Sequence, residues 1–188
     1  MKKPKGKLPG FINPGQDLVI AGSIALEGTS CLAKEKEEEL LKYYSRCFLR
    51  SAEQLKNQMV SGELFKNKEE LKISAVLPVN EGGIMTALWH LAEDFEIGIT
   101  IDLKAIPIHQ ETIEICEVFN LNPYRLRSGG SFLLTADHGG DLVSKLAERG
   151  ILAVVAGKIT SGVKKLIFNG DNCSFLDRPG KEELLKIL

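Results

Sequence analysis

The sequence contains few of the residues that build metal centres. Of its 188 residues, only four are cysteine and three are histidine, and no two cysteines stand in a C-x-x-C spacing. A zinc cluster needs ligands in closely spaced pairs, so we predict no metal site. We expect the cysteines to be small, buried hydrophobic residues in a reducing compartment. The residues concerned are Cys31, Cys47, Cys116, Cys173, His90, His109 and His138.

Long hydrophobic runs and an excess of charge of one sign are also missing. No apolar run approaches the roughly 20 residues that span a bilayer, and no signal-peptide core follows Met1. The net charge of −1 gives no electrostatic footprint for nucleic acid or an anionic membrane. We therefore expect a cytoplasmic protein that binds neither. Four early lysines predict a solvated tail rather than a binding arm. They are Lys2, Lys3, Lys5 and Lys7.

No complete catalytic set is visible. There is no G-x-S-x-G nucleophile elbow and no P-loop lysine motif, and the carboxylates show no catalytic spacing. We expect His90, beside Trp89, to be a partly buried structural histidine. His138 lies in the corner Asp137–Asp141, where a turn and a helix N-cap are its expected roles. The residues alone leave any catalytic group unknown.

The most informative segment is a corner between an apolar run and a helical pattern. The run Ile73–Leu77 predicts a strand, the pair Gly82–Gly83 a tight turn, and Met85–Glu93 a helix. Free backbone N–H groups at such a helix N-terminus, next to glycines that let a ligand approach closely, form an anion site. The alternative is that the corner only needs residues without a Cβ atom, because a short glycine pair is a weak motif.

Strand and helix patterns alternate along the rest of the chain. A short strand over Asp17–Ala21 leads through a second glycine corner, Gly22–Ser30, into a helix. Further helices are predicted over Phe48–Gln58, Gly62–Leu71, Gln110–Phe119, Gly140–Arg149 and Lys181–Ile187. Further strands are predicted over Ile97–Asp102, Ser131–Thr135, Ile151–Ala156, Lys164–Phe168 and Ser174–Leu176.

This order predicts an α+β fold, in which helices pack on a mixed β-sheet. The stretch Ser131–Phe168, a strand, a helix, a strand and its hairpin partner, predicts a partial ferredoxin-like topology. The length suits one domain. Residues 1–16 contain Pro4, Pro9 and Pro14 and predict an extended N-terminal arm rather than a packed element. Residues 17–188 then form the domain.

Several short motifs together resemble one enzyme superfamily. In chain order they are PGQDLVIAG over Pro14–Gly22, LEGT over Leu26–Thr29, PVNEGGI over Pro78–Ile84, GITID…IPI over Gly98–Ile108, LNPY over Leu121–Tyr124 and GGSFLL over Gly129–Leu134. Each motif is weak, but their order and spacing make the match specific. From Pro14 onward the chain resembles the C-terminal domain of AIR synthase (PurM)-related proteins, most of all the hydrogenase maturation factor HypE-like proteins.

The resemblance implies a PurM C-terminal-domain-like fold that contributes a phosphate-facing corner to an ATP-dependent active site. ATP and Mg²⁺ would be the cofactors, with most of their ligands on an N-terminal ATP-binding domain. That domain or a second copy of the chain would be the partner, together with other hydrogenase maturation proteins. The implied cofactor-binding residues are Asn80, Glu81, Gly82 and Gly83, and less directly Gly28 and Thr29.

The sequence also departs from the family pattern. Pro78 and Asn80 stand where the motif has Asp and Thr, so a carboxylate role at position 78 is lost, although Asn80 can still cap the helix. HypE itself ends in Pro-Arg-Ile-Cys, whose cysteine accepts a carbamoyl group, whereas this sequence ends in Leu188. Nothing resembling the N-terminal domain precedes Pro14. We therefore expect an isolated, inactive half or, alternatively, a non-catalytic interaction or dimerisation module.

Overall fold

The protein is built around one mixed β-sheet. The computed structural model describes residues 10–188, so the predicted tail with Lys2, Lys3, Lys5 and Lys7 lies outside the described residues. The strands are β1 (Asp17–Ala21), β2 (Ala75–Val79), β3 (Gly98–Asp102), β4 (Ser131–Ala136), β5 (Ala153–Thr160), β6 (Lys165–Asn169) and β7 (Asn172–Phe175). Their order is β2–β4–β1–β5–β3–β6–β7. Neighbours from β2 to β3 are antiparallel, β6 is parallel to β3, and β7 is antiparallel to β6.

Seven α-helices pack around this sheet in the described part of the chain. They are α1 (Leu26–Glu35), α2 (Glu37–Leu40), α3 (Arg46–Gln54), α4 (Lys68–Leu71), α5 (Gly83–Phe95), α6 (Gln110–Val118) and α7 (Gly139–Glu148). Short 3₁₀ turns cover Leu55–Gln58, Gly62–Phe65, Leu103–Ala105, Pro123–Arg125 and Leu184–Lys186. Across residues 10–188, no helix combines the length and the apolar character needed to cross a membrane.

Strand β1 is buried on both faces of the sheet. Leu18 and Ile20 belong to a large core with α1, α5 and α6, whereas Val19 and Ala21 belong to a smaller core with α7. Alternate side chains of a strand point to opposite faces, so an uninterrupted apolar strand requires cover on both sides. The predicted α+β class with a mixed sheet is confirmed.

The unit β4–α7–β5 places its two strands on either side of β1, which confirms the partial ferredoxin-like topology. The predicted hairpin between β5 and β6 is wrong. Strand β5 already pairs with β1 on one edge and with β3 on the other, so no edge is free. The chain therefore passes beyond β3, and β6 pairs with β3 in parallel.

Some predicted elements shift or shorten. The strand predicted over Ile73–Leu77 is β2, which includes Pro78; the missing N–H is tolerated because β2 is the edge strand of the sheet. The terminal helix predicted over Lys181–Ile187 is reduced to one 3₁₀ turn. Its glutamates, Glu182 and Glu183, are instead turned into the protein, where they accept bonds from other segments.

The described part of the predicted arm, residues 10–16, packs against the domain rather than extending from it. Gly10 forms an isolated bridge with Ala75, and Ile12 is fully buried. The amide nitrogen Nε2 of Gln16 donates to Ser74 Oγ over 2.7 Å and to Asp137 Oδ1 over 2.9 Å. These contacts tie the segment to the start of β2 and the end of β4.

The cysteines are not uniformly buried, so that prediction is correct only in part. Cys116 is buried and Cys31 is partly buried, whereas Cys47 and Cys173 are exposed. Burial raises the pKa of the Cys116 thiol to about 12, which keeps it protonated at neutral pH. Cys173 is exposed because β7 is the outer strand of the sheet and its four residues are open to solvent.

Candidate functional site

The corner after β2 leads into the N-terminus of α5 through the two predicted glycines. Gly82 and Gly83 both adopt positive φ angles, 72° and 63°, and turn the chain directly into α5. The Gly83 amide donates to Asn80 O over 3.2 Å, and the Thr86 amide donates to Gly82 O over 3.4 Å. Within residues 10–188, the amides of four neighbouring residues find no acceptor. These are Glu81, Gly82, Ile84 and Met85.

An open cleft lies beside this corner, and of these four residues Glu81 and Gly82 line it whereas Ile84 and Met85 do not. It encloses about 470 Å³ and places the corner opposite a segment near the C-terminus. The first turn of α5 carries no acidic residue, so the positive end of the helix dipole is not neutralised from within the helix. The lining residues are Leu77, Pro78, Asn80, Glu81, Gly82, Thr86, Ala87, His90, Gly180, Glu182 and Leu185.

Three of the predicted site residues, Asn80, Glu81 and Gly82, line this cleft. Gly83 is packed against the segment Tyr124–Arg127 instead. A Cβ atom at Gly83 would stand 2.5 Å from Tyr124 O and 2.8 Å from Leu126 O. The second glycine of the pair is therefore required for close backbone packing, as the alternative interpretation of the motif stated.

The other predicted site residues, Gly28 and Thr29, lie on the far side of that same segment. The Gly28 amide donates to Arg127 O over 3.0 Å, and a Cβ atom at Gly28 would stand 2.5 Å from Leu126 Cγ. Thr29 is fully buried, and its hydroxyl shares a 2.8 Å hydrogen bond with Thr112. Neither residue lines the cleft. Their contacts fix the position of the segment against which Gly83 packs.

The sequence analysis did not predict a role for Arg127. Its guanidinium pairs with Glu27 in the corner Gly22–Ser30 and with Glu81 beside Gly82–Gly83. Its Nε lies 3.0 Å from Glu182 Oε1, and its Nη2 lies 3.1 Å from Glu81 Oε1. Its Nη1 lies 3.9 Å from Glu27 Oε1. The hydrogen bond with Glu182 raises the pKa of the Arg127 guanidinium. No local sequence motif predicts this cluster, because its four members come from four separate segments of the chain. They are Glu27, Glu81, Arg127 and Glu182.

The three histidines have no shared role in the described structure. His90 is exposed and lines the cleft, so the prediction of a partly buried structural histidine is wrong: its neighbours Leu88 and Leu91 face the core and leave it on the outer face of α5. His138 takes the N-cap position of α7, as predicted, but its side chain does not cap the helix. The capping oxygen is Oδ2 of Asp17, which accepts from the Gly139 amide over 2.9 Å.

Asp17 makes the stability of the domain depend on pH. Burial acts to raise the pKa of this carboxyl, but the bonds from Lys158 and the Gly139 amide outweigh it, and the net pKa lies below the ordinary value of 3.8. A carboxyl whose pKa is lowered by folding stabilises the protein above its unfolded pKa, and this contribution is lost as the pH falls through the folded value.

We expect Asp17→Asn to lower the free energy of unfolding by about 1 kcal/mol at pH 7, as for loss of a charged helix cap. Below about pH 4 the difference from the wild type should shrink. Urea unfolding across this pH range measures it. Asp171→Asn is the control, because Asp171 is exposed in the turn between β6 and β7 and forms no ion pair within residues 10–188. A pH-independent difference would contradict the assignment.

Comparisons with known proteins agree with this architecture. Residues 13–168 match the family model described as AIR synthase related protein, C-terminal domain. Over 67 residues, the chain is 34% identical to a protein of Methanocaldococcus jannaschii that is named as a hydrogenase expression/formation protein. That match covers 36% of this chain and 20% of the relative.

Solved structures share the fold at low sequence identity. Escherichia coli HypE, a hydrogenase maturation protein, has a TM-score of 0.72 at 16% identity, over 92% of this chain and 52% of that one. HypE in complex with ATP has a TM-score of 0.68 at 16% identity, over 92% and 53%. HypE in a HypE–HypF complex has a TM-score of 0.65 at 16% identity, over 89% and 54%.

The chain thus spans about half the length of these structures and 20% of the curated relative. The family match nevertheless extends over most of the domain, from the residues before β1 to strand β6. The chain belongs to the family of AIR synthase related proteins, as their C-terminal domain.

Proposed function

We propose that this chain is the C-terminal half of an ATP-dependent, HypE-like hydrogenase expression/formation protein. In this proposal the cleft at Asn80–Gly82 faces the phosphates of a nucleotide held mainly by an N-terminal ATP-binding domain. The observation that carries the proposal is that Glu81 and Gly82, whose amides have no acceptor within residues 10–188, line an open cleft just before α5. The solved relative with bound ATP supports the choice of ligand.

The residues at the corner fit a phosphate group. Backbone N–H groups at a helix N-terminus bind phosphate through direct hydrogen bonds and the helix dipole. The exposed Asn80 side chain forms no hydrogen bond within the described residues and can donate as well. The carboxylate of Glu81 would repel a phosphate, but its ion pair with Arg127 offsets that charge. When bound, ATP would supply the phosphoryl group, which these amides would orient and neutralise.

The residues of this chain do not fit Mg²⁺ by themselves. Protein sites for Mg²⁺ use one or two carboxylates together with substrate phosphates. Both carboxylates at the cleft, Glu81 and Glu182, are bonded to Arg127. Across residues 10–188, no three His, Cys, Asp or Glu side chains are arranged to hold a metal ion. We therefore assign the Mg²⁺ ligands to the partner domain.

Isothermal titration with ATP–Mg²⁺ tests the proposal, using this chain alone and joined to a HypE N-terminal ATP-binding domain. We expect binding only in the joined protein. Asn80→Asp preserves side-chain size but adds a negative charge at the corner, and it should weaken binding about ten-fold. Asn169→Asp, an exposed change at the end of β6, is the control. Equal affinity in all three joined proteins, or no binding in any, would contradict the proposal.

A second candidate function is a non-catalytic interaction or dimerisation module. Three large apolar side chains are exposed on β5, β6 and β7: Val155 at 39%, Phe168 at 37% and Phe175 at 67%. The solved HypE–HypF complex supports other hydrogenase maturation proteins as a partner class. Light scattering after size-exclusion chromatography tests self-association, since a monodisperse monomer at high concentration would count against dimerisation through this surface.

A further inference from the structure

A second cavity, of about 410 Å³, lies at the N-terminus of α1. It is formed where β1 ends and β5 begins, and it shares no lining residue with the cleft beside α5. Its walls come from the first glycine corner, the segment after α3 and the turn before β5. The lining residues are Gly22, Ser23, Leu26, Asn57, Gln58, Met59, Val60, Ser61, Leu64, Gly150, Ile151 and Leu152.

The hydroxyl of Ser23, which has no partner in residues 10–188, points to a ligand in this cavity. Ser23 is only 6% exposed, yet its side chain forms no hydrogen bond within residues 10–188. Among the described residues, Thr135 Oγ1 is the one fully enclosed side-chain oxygen without a partner, so the Ser23 oxygen is not enclosed and opens onto the cavity that its residue lines. Because Ser23 lines the cavity wall, a molecule in the cavity can supply the missing partner.

The backbone around Ser23 adds further donors. Three amides of this corner are satisfied: Gly22 donates to Leu152 O, Ile24 to Pro107 O, and Ala25 to Ser128 Oγ. Within the described residues, the amides of Ser23, Leu26 and Glu27 have no acceptor. They lie at the positive end of α1, a helix of ten residues. Ser23 and Leu26 line the cavity, so their amides and the Ser23 hydroxyl can donate to a ligand there, and the complementary ligand group is an acceptor.

The other residues of the cavity wall indicate which charge the ligand carries and that the rest of the ligand is apolar. Among residues 10–188, no lysine or arginine lines the cavity, so the helix dipole and neutral donors suit a single negative charge better than a phosphate dianion. Glu27 does not compete, because its carboxylate accepts from the Gly129 amide over 3.1 Å. Met59, Leu64 and Leu152 are 38%, 39% and 55% exposed around the opening and offer apolar contact.

We propose that this cavity binds a small monocarboxylic acid with an apolar body. The carboxylate accepts hydrogen bonds from the Ser23 hydroxyl and from the free amides at the start of α1. The apolar body packs against Met59, Leu64 and Leu152. The site is separate from the nucleotide-facing cleft, and its test requires no nucleotide, so either proposal can fail without the other.

Phenylacetate is a suitable probe, and its neutral isostere phenylacetamide is the matched ligand control. Titration of the ¹⁵N-labelled chain should produce saturable shifts of the Ser23, Leu26 and Glu27 amide signals with phenylacetate only. Ser23→Ala should weaken binding about ten-fold, as expected for a lost hydrogen bond to a charged group. Ser144→Ala should change nothing, because Ser144 is exposed on α7 and its hydroxyl, within residues 10–188, bonds only to Gly140 O.

Three results would overturn the proposal. Equal affinity for phenylacetamide would show that the cavity binds the apolar ring and does not recognise the negative charge. Stronger binding of inorganic phosphate than of phenylacetate would show that a dianion is preferred. Absence of saturable shifts in the folded wild-type chain at millimolar phenylacetate would show that the cavity binds no such acid. Because all three results are measured on the wild-type chain, they remain decisive if Ser23→Ala fails to fold.

Discussion

Gly83→Ala is expected to lower the free energy of unfolding of the domain by about 3 kcal/mol or more. This is the largest effect predicted for a single substitution in this chain. The new Cβ atom would stand 2.5 Å from Tyr124 O and 2.8 Å from Leu126 O. Both are backbone atoms, so they cannot move aside by a change of rotamer. The φ angle of 63° at Gly83 adds the strain of a left-handed conformation at a residue with a side chain.

Urea unfolding followed by circular dichroism measures this effect as a lower midpoint at an unchanged slope. Gly140→Ala is the matched control. A Cβ atom at Gly140 meets no atom within 4 Å, and the residue lies inside α7, where alanine is preferred by about 0.5–1 kcal/mol. If Gly83→Ala were as stable as Gly140→Ala, the close packing of α5 against Tyr124–Arg127 would be contradicted.

Arg127→Met is expected to lower the free energy of unfolding by about 2 kcal/mol. Methionine is of similar length but leaves the Glu182 carboxylate, whose side chain is 5% exposed, without its cation. It also leaves Glu27 and Glu81 without a positive charge between them. The expected value is below that for a fully buried pair, because the Arg127 side chain is 30% exposed and its attraction is partly screened by water.

Two further variants make this result specific. Arg125→Met should cost less than about 1 kcal/mol, because Arg125 pairs at 3.6 Å with Asp177, which is 84% exposed. The double variant with Arg127→Met and Glu182→Gln should recover part of the loss, since a neutral amide is cheaper to bury than a carboxylate. No recovery would contradict the assignment of this loss to the unpaired Glu182 carboxylate.

The strands and the corner at Gly82–Gly83 could be predicted locally because their signals are local. A run such as Leu18–Ala21 has only apolar side chains, which suits a strand covered on both faces. Two adjacent glycines after an apolar run mark a turn wherever the chain goes next. The position of β6 was not predictable in this way, because it depends on which edges of β5 were already taken by β1 and β3.

The two glycines of the corner show where local reasoning reaches its limit. Their sequence is equally consistent with a ligand site and with tight packing. The fold assigns a different role to each residue: Gly82 lines the cleft, and Gly83 packs against Tyr124–Arg127. His90 is a similar case, because the helical pattern located it on α5 but did not show that its side chain faces the cleft.

The sequence by itself determined the strands, most of the helices and the family, since side-chain periodicity, glycine positions and motif order are properties of neighbouring residues. Only the tertiary structure decided that Glu27, Glu81 and Glu182 share Arg127, and that Ser23 lines a cavity without a hydrogen-bond partner in the described chain. Such groupings depend on distances between segments that are far apart in the chain. Those distances are set by how all the helices pack on the sheet at once.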